Sequence, residues 1–139
     1  MKADEKLALT ISAVAFTTEP PDDNGEVVQA LEEYTKTELS IEWIPNSNID
    51  DKFNIMLASG SLPHLMYVPQ KTPSFVSAVR DGAFWELGPY LNDYDNLSQA
   101  NDIILNNSSI DGKIYGIYRE RPLGRNAVTI RKDWLDNVV

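Results

Sequence analysis

Three times in its first 82 residues this chain sets a short β-branched or alternating apolar run before a turn signal and then a helical apolar period, and that order leaves few folds open. Residues 6–16 are apolar on both faces over most of their length, as a central strand covered by helices would be. After the Pro-rich loop at 17–24, Val27, Val28, Leu31 and Tyr34 fall at helical spacing, with Glu32 and Lys36 as an i, i+4 pair behind them. Residues 39–44 alternate apolar and polar and stop at Pro45, so they read as a second strand. Asn48 is placed to cap a second helix that carries Ile49, Phe53, Met56 and Leu57, with Gly60 at its left-handed end. A third strand at 65–68 leads to Thr72-Pro73, an N-cap and first-turn proline for a helix with Phe75, Val76 and Val79 that ends near Gly82.

Consecutive parallel strands need a crossover, commonly a helix, so the expected fold class is α/β, a mainly parallel sheet flanked by helices. In such sheets the loops at the carboxyl ends of the strands are the usual ligand sites. The second half is less regular. Residues 87–94 and 98–106 read as short helices, Asp111-Gly112 as a hairpin turn before 113–117, and 127–131 as a final strand before Lys132.

The 139 residues are the size of one ordinary domain, so a single packed core is expected. With 21 acidic and 12 basic side chains the formal charge is −9, a field that repels phosphate backbones and argues against nucleic acid as a partner. The absence of cysteine removes disulfides, thiol nucleophiles and thiolate metal sites, and one histidine excludes His-rich metal centres. Neither Gly-x-Gly-x-x-Gly nor a Gly-Lys-Ser/Thr phosphate loop occurs, and no cofactor or metal is expected.

Several residues invite chemistry. Glu19, Asp22 and Asp23 cluster after strand one, where carboxylates can serve as acid and base, or simply favour the start of the next helix. His64 lacks a second metal-ligand partner and a Gly-x-Ser-x-Gly elbow, so it reads as a locally hydrogen-bonded turn or edge residue. Arg119, Arg121 and Arg125 crowd into one segment of an otherwise acidic chain, where arginine forks suit carboxylates and vicinal hydroxyls, or surface ion pairs. Trp85 and Tyr90 offer flat faces of the kind that stack on sugar rings, or alternatively core packing; Trp43 and Trp134 read as packing residues.

Three stretches taken together carry a family likeness: Met56-Leu-Ala-Ser-Gly-Ser-Leu-Pro63, Gly82-Ala-Phe-Trp-Glu-Leu-Gly-Pro-Tyr-Leu91, and Ile110-Asp-Gly-Lys-Ile-Tyr-Gly-Ile117 with Ile130-Arg-Lys-Asp-Trp-Leu135. In order and spacing they resemble the extracellular solute-binding proteins of bacterial ABC transporters, in the sugar-binding group that includes Gram-positive lipoproteins. The chain departs from that pattern at His64, where the family usually has Asp, and at Tyr118, where it often has Pro.

The resemblance implies one lobe of a type II periplasmic-binding-protein fold, with residues 1–139 as an amino-terminal lobe cut near the first crossing between lobes. It implies a receptor and not an enzyme, a sugar or oligosaccharide shared with a second lobe, an ABC permease as partner, and an extracytoplasmic, lipid-anchored parent. An isolated lobe would also expose a sheet edge or apolar patch and self-associate. By the carboxyl-end rule the expected ligand contacts are Phe16 and Glu19 after strand one, Asn46 after strand two and Gln70 after strand three, with Trp85 as a stacking platform and Arg119 as a polar fork. Two rivals stand beside this reading: a carbohydrate-active enzyme using Glu19 with Asp22 or Asp23, and a stand-alone α/β interaction module.

Overall fold

The computed structural model describes residues 6–22, 24–119 and 130–137. Instead of one core the chain forms two compact units, residues 1–86 and 87–139, which divide where the β-α alternation of the sequence ends.

The first unit carries β1 (Leu7–Ala15), α1 (Glu26–Thr35), β2 (Thr37–Pro45), α2 (Ile49–Ser59), β3 (Leu65–Met66) and α3 (Pro73–Arg80). Its sheet has the order β2-β1-β3 with both pairs parallel, so β1 is central, as its two apolar faces require. The β1–β2 register runs unbroken from Leu7 opposite Thr37 to Ala15 opposite Pro45. Strand β3 is two residues long where the sequence predicts 65–68. The Tyr67 N–H still donates to the Ser12 carbonyl at 3.0 Å, but Pro69 has no N–H to carry the ladder on.

Two apolar groups hold the helices to the sheet. Ile44, Ile49 and Met56 are buried together, with Val14, Leu62, Met66 and Tyr67 against them. Phe53 of α2 is 1% exposed and its ring meets Phe75 of α3 at 6.0 Å between centroids. Phe75 in turn meets Phe84 nearly edge-on at 5.1 Å. These tilted geometries suit the quadrupole of aromatic rings.

Local signals set the helix ends, with two exceptions. Thr72 Oγ1 accepts from the Phe75 N–H at 3.2 Å, with Pro73 opening α3, and Gly60 closes α2 at φ 69°, where any Cβ would be strained. Asn48 precedes α2 as predicted but makes no cap bond, because the chain enters the helix through a 3-10 turn (Asn46–Asn48) and the Asn48 side chain accepts from the Ser47 hydroxyl instead. Asp50 and Asp51 supply the negative charge that the helix start favours. The predicted Glu32–Lys36 pair is also replaced: Lys36 takes a left-handed φ of 57° at the end of α1, and Glu32 Oε1 accepts the Leu39 backbone N–H at 2.7 Å, tying α1 to β2. Of the apolar stripe on α1 only Val28 is buried; Val27 and Leu31 are exposed, and Tyr34 is 87% exposed.

In the second unit, residues 87–94 give a 3-10 segment (Gly88–Asp93) and not an α-helix, and the helix predicted at 98–106 is α4 (Asp102–Ser108). It starts late because the Asn101 side chain accepts from the Ile103 and Ile104 N–H groups, at 3.0 and 3.3 Å, and so defines the N-cap. Asp111 at φ 51° and Gly112 at φ 77° form the expected tight turn, closed by reciprocal Ile110–Lys113 backbone bonds of 2.9 and 3.0 Å. The hairpin goes no further, since the Ile114 carbonyl accepts from Leu87 at 2.7 Å. The strand predicted at 127–131 lies outside the described residues except for 130 and 131. In α5 (Lys132–Leu135) the packing expected of Trp134 is not found: the ring is exposed, with the Arg131 guanidinium 5.5 Å from its centroid. The same guanidinium, hydrogen-bonded to Asp133, holds that carboxyl below its ordinary range.

One buried group pays no return. Ser12, in the middle of β1, is 2% exposed and its hydroxyl has no hydrogen-bond partner among the described residues. Burying a hydroxyl without a partner costs about 1–3 kcal/mol, so Ser12→Ala is expected to stabilise the fold by about 1 kcal/mol, raising Tm by about 4 °C. A calorimetric Tm that falls would show that the hydroxyl is satisfied.

Candidate functional site

The carboxyl ends of three parallel strands form the natural candidate, and the register shows which residues meet there. Ala15 pairs with Pro45, so the next residues out are Phe16 and Asn46. Ser12 pairs with Met66, and Gln70 stands four residues past Met66 as Phe16 stands four past Ser12. Phe16 and Asn46 thus leave the same end of the sheet in register, while Gln70 lies four residues past the end of the two-residue β3. All three are exposed, and Phe16 is 59% exposed, a large apolar surface at a strand end. Asn46 opens the 3-10 turn before α2, and the Gln70 carbonyl accepts from Thr72 at 3.0 Å just before α3. Asn46 and Gln70 are therefore set just before α2 and α3, whereas residues 17–25 lie between Phe16 and α1.

Glu19 lies in the same loop as Phe16, with its carbonyl accepting from Thr17 Oγ1 at 2.7 Å. Asp22 organises the approach to α1: its Oδ1 accepts from the Asn24 N–H at 2.9 Å and its carbonyl from the Gly25 N–H at 2.8 Å. Gly25 is required there, because a Cβ would stand 2.9 Å from the Asp22 carbonyl oxygen. The Asp22 carboxylate is thus engaged in a turn at a helix start, the structural alternative to acid-base work. Asp23, Arg121 and Arg125 lie outside the described residues. Among the described residues no group of three or more potential ligands is placed to hold a metal ion.

Trp85 is in the first unit and 81% exposed, so it is not part of the core that the described residues of that unit form. It follows the end of α3 and not a strand, so the rule that selects Phe16, Asn46 and Gln70 does not cover it. Arg119 is exposed and belongs to the second unit, as do Tyr90 and Tyr94, both exposed.

His64 is hydrogen-bonded, but across strands and not locally. Its Nδ1 accepts from the Thr10 N–H at 3.0 Å and stands 2.8 Å from Thr10 Oγ1, and its own N–H donates to that Oγ1 at 3.1 Å. A hydroxyl beside an imidazole has the spacing of a nucleophile and its base. Here the hydroxyl also accepts the His64 backbone N–H and the imidazole also accepts the Thr10 backbone N–H, so the pair joins two strands.

Residues 19–138 match the sequence family described as bacterial extracellular solute-binding protein. The chain belongs to that family. Among its relatives are Lipoprotein LipO of Bacillus subtilis (strain 168), 49% identical over 133 residues that cover 96% of this chain and 26% of that protein. A second, the polygalacturonan/rhamnogalacturonan-binding protein YtcQ of the same organism, is 45% identical over 136 residues, covering 97% of this chain and 27% of that protein. The chain therefore spans about a quarter of the length of the curated relatives it matches. Family membership agrees with the parallel, helix-flanked sheet, and no helix among the described residues is long and apolar enough to cross a membrane.

Proposed function

We propose that these residues supply one side of the solute site of an ABC-importer receptor, as part of the amino-terminal lobe of a protein that closes on a carbohydrate. The observation that carries this reading is the family match across 19–138, and it is supported by a parallel sheet past whose strand ends Phe16 and Asn46 are neighbours in register. The polygalacturonan/rhamnogalacturonan-binding relative supports a carbohydrate as the solute class. The function is binding and not catalysis: the Asp22 carboxylate is committed to a turn, which counts against its pairing with Glu19 as acid and base. The family description and the lipoprotein relative support an extracytoplasmic, lipid-anchored protein that reports its closed state to a permease.

In this scheme Phe16 and Trp85 give flat apolar faces for sugar rings, while Glu19, Asn46 and Gln70 give hydroxyl partners. The test is a tryptophan-fluorescence titration of the longer protein against neutral and uronic oligosaccharides. A saturable response is expected, and silence to every sugar would refute the carbohydrate assignment. Trp85→Ala in the longer protein is expected to weaken that binding about tenfold, the equivalent of about 1.4 kcal/mol of stacking. Calorimetry reads this variant without needing the tryptophan signal, and unchanged affinity removes Trp85 from the site.

A further inference from the structure

The Thr10–His64 contact does more than fill a sheet edge. Strand β3 has two residues, and on its amino-terminal side the ladder to β1 is continued by side chains. Thr10 N–H and Oγ1 both meet the ring Nδ1, at 3.0 and 2.8 Å, and Thr10 Oγ1 accepts the His64 N–H at 3.1 Å. A backbone amide is only a donor, so the ring nitrogen opposite it must offer a lone pair. The ring proton is then on Nε2, the other nitrogen.

We propose that Thr10 and His64 form an acid-sensitive clamp between β1 and β3, closed only while the imidazole is neutral with its proton on Nε2. A second proton would sit on Nδ1, where Thr10 Oγ1 at 2.8 Å can accept it, but the Thr10 N–H would then face an N–H donor and lose its acceptor. The clamp is therefore complete while the ring is neutral and loses its Thr10 N–H bond once the ring takes a second proton. An aspartate, the residue the family resemblance puts at this position, would accept throughout the ordinary titration range of histidine.

The charged groups on this face of the sheet do not compete for the ring. By strand alternation Glu38 and Glu42 of β2 share the face with Thr10, and Lys52 of α2 pairs with Glu42 at 2.7 Å. β1 contributes Thr10 and Ser12, β3 contributes Met66, and the segment 60–70 holds no charged residue besides His64 itself. Among the described residues, hydrogen bonds to the ring come from Thr10 alone. The clamp stands at the start of the strand that leads to Gln70, yet the inference is independent of which solute binds there.

The experiment is NMR on the longer protein, with the His64 ring signals identified by their loss in His64→Asn. At about pH 7.5 the ring nitrogens should report an unprotonated Nδ1 and a protonated Nε2. Hydrogen exchange at the Thr10 amide, corrected for its intrinsic rate, should lose about fivefold in protection on going to about pH 5. His64→Asn, whose side-chain oxygen can accept at every pH, should keep the protection at both values, and His64→Ala should lack it at both. A proton on Nδ1 at neutral pH, equal wild-type protection at the two pH values, or a parallel loss in His64→Asn would each overturn the clamp.

Discussion

Phe53→Ala is expected to cost about 4 kcal/mol of stability, the largest single-residue effect in the first unit. Phe53 is the most completely buried large side chain among the described residues, and it links α2 to α3 through Phe75. The loss combines three terms: transfer of a whole aromatic side chain, the cavity it leaves, and the tilted ring contact with Phe75. The cavity cannot close by a simple shift, since Phe75 is also held by Phe84, and α3 is fixed at its start by Thr72 and Pro73. Against a total stability of about 5–15 kcal/mol, this loss removes a large share. With a urea slope of about 2 kcal/mol/M, the unfolding midpoint followed by circular dichroism should fall by about 2 M. A fall under about 0.5 M would show that the α2–α3 contact adds little, and that the sheet and α1 hold the unit without it.

The part of this fold that could be read in the sequence is the part governed by local period. The spacing of Ile49, Phe53, Met56 and Leu57 predicts the inner face of α2, of which the first three are buried and Leu57 is half-buried. The double-faced apolar run of β1 predicts a central strand, and the parallel order follows from the helices between strands. What local period cannot show is which face finds cover. Val27, Leu31 and Tyr34 are spaced as well as the residues of α2, yet they remain exposed in this chain. Side-chain competition is equally hidden: Glu32 has Lys36 one turn away, but the Leu39 N–H offers a bond that also fixes the helix to its strand. Asn48 is a good cap by identity and loses the role to a 3-10 entry that no residue count reveals.

The same division applies to the site. The positions of Phe16 and Asn46 follow from topology, since each stands one step past a parallel strand at the same end of the sheet, whereas Gln70 stands four residues past the short β3. Trp85 and Arg119 depend on irregular segments, for which sequence supplies a residue type without a place. His64 lies between these cases. Its chemistry was visible as an isolated ring beside a proline, but its partner is Thr10, 54 residues away, and only strand pairing brings the two together.

If these residues belong to a longer receptor, as proposed, the largest effect on binding is expected between this chain and that longer protein. A small ligand in a closed site has about 70–90% of its surface covered, and a single set of strand-end loops covers one side of it. If the longer protein holds its sugar at about 1 μM, near −8 kcal/mol, and these loops supply about half, the 139 residues alone retain about 1 mM, near −4 kcal/mol. The expected loss is about a thousandfold. It shows in parallel titrations of the two proteins with the same oligosaccharide, followed by calorimetry so that tryptophan placement does not bias the reading. A short chain that binds within about tenfold of the long one would mean that the ends of β1, β2 and β3 hold a complete site by themselves. In that case closure of a second lobe would serve recognition by the permease and not affinity, and the exposed faces of Phe16 and Trp85 would have to account for nearly the whole of the binding energy.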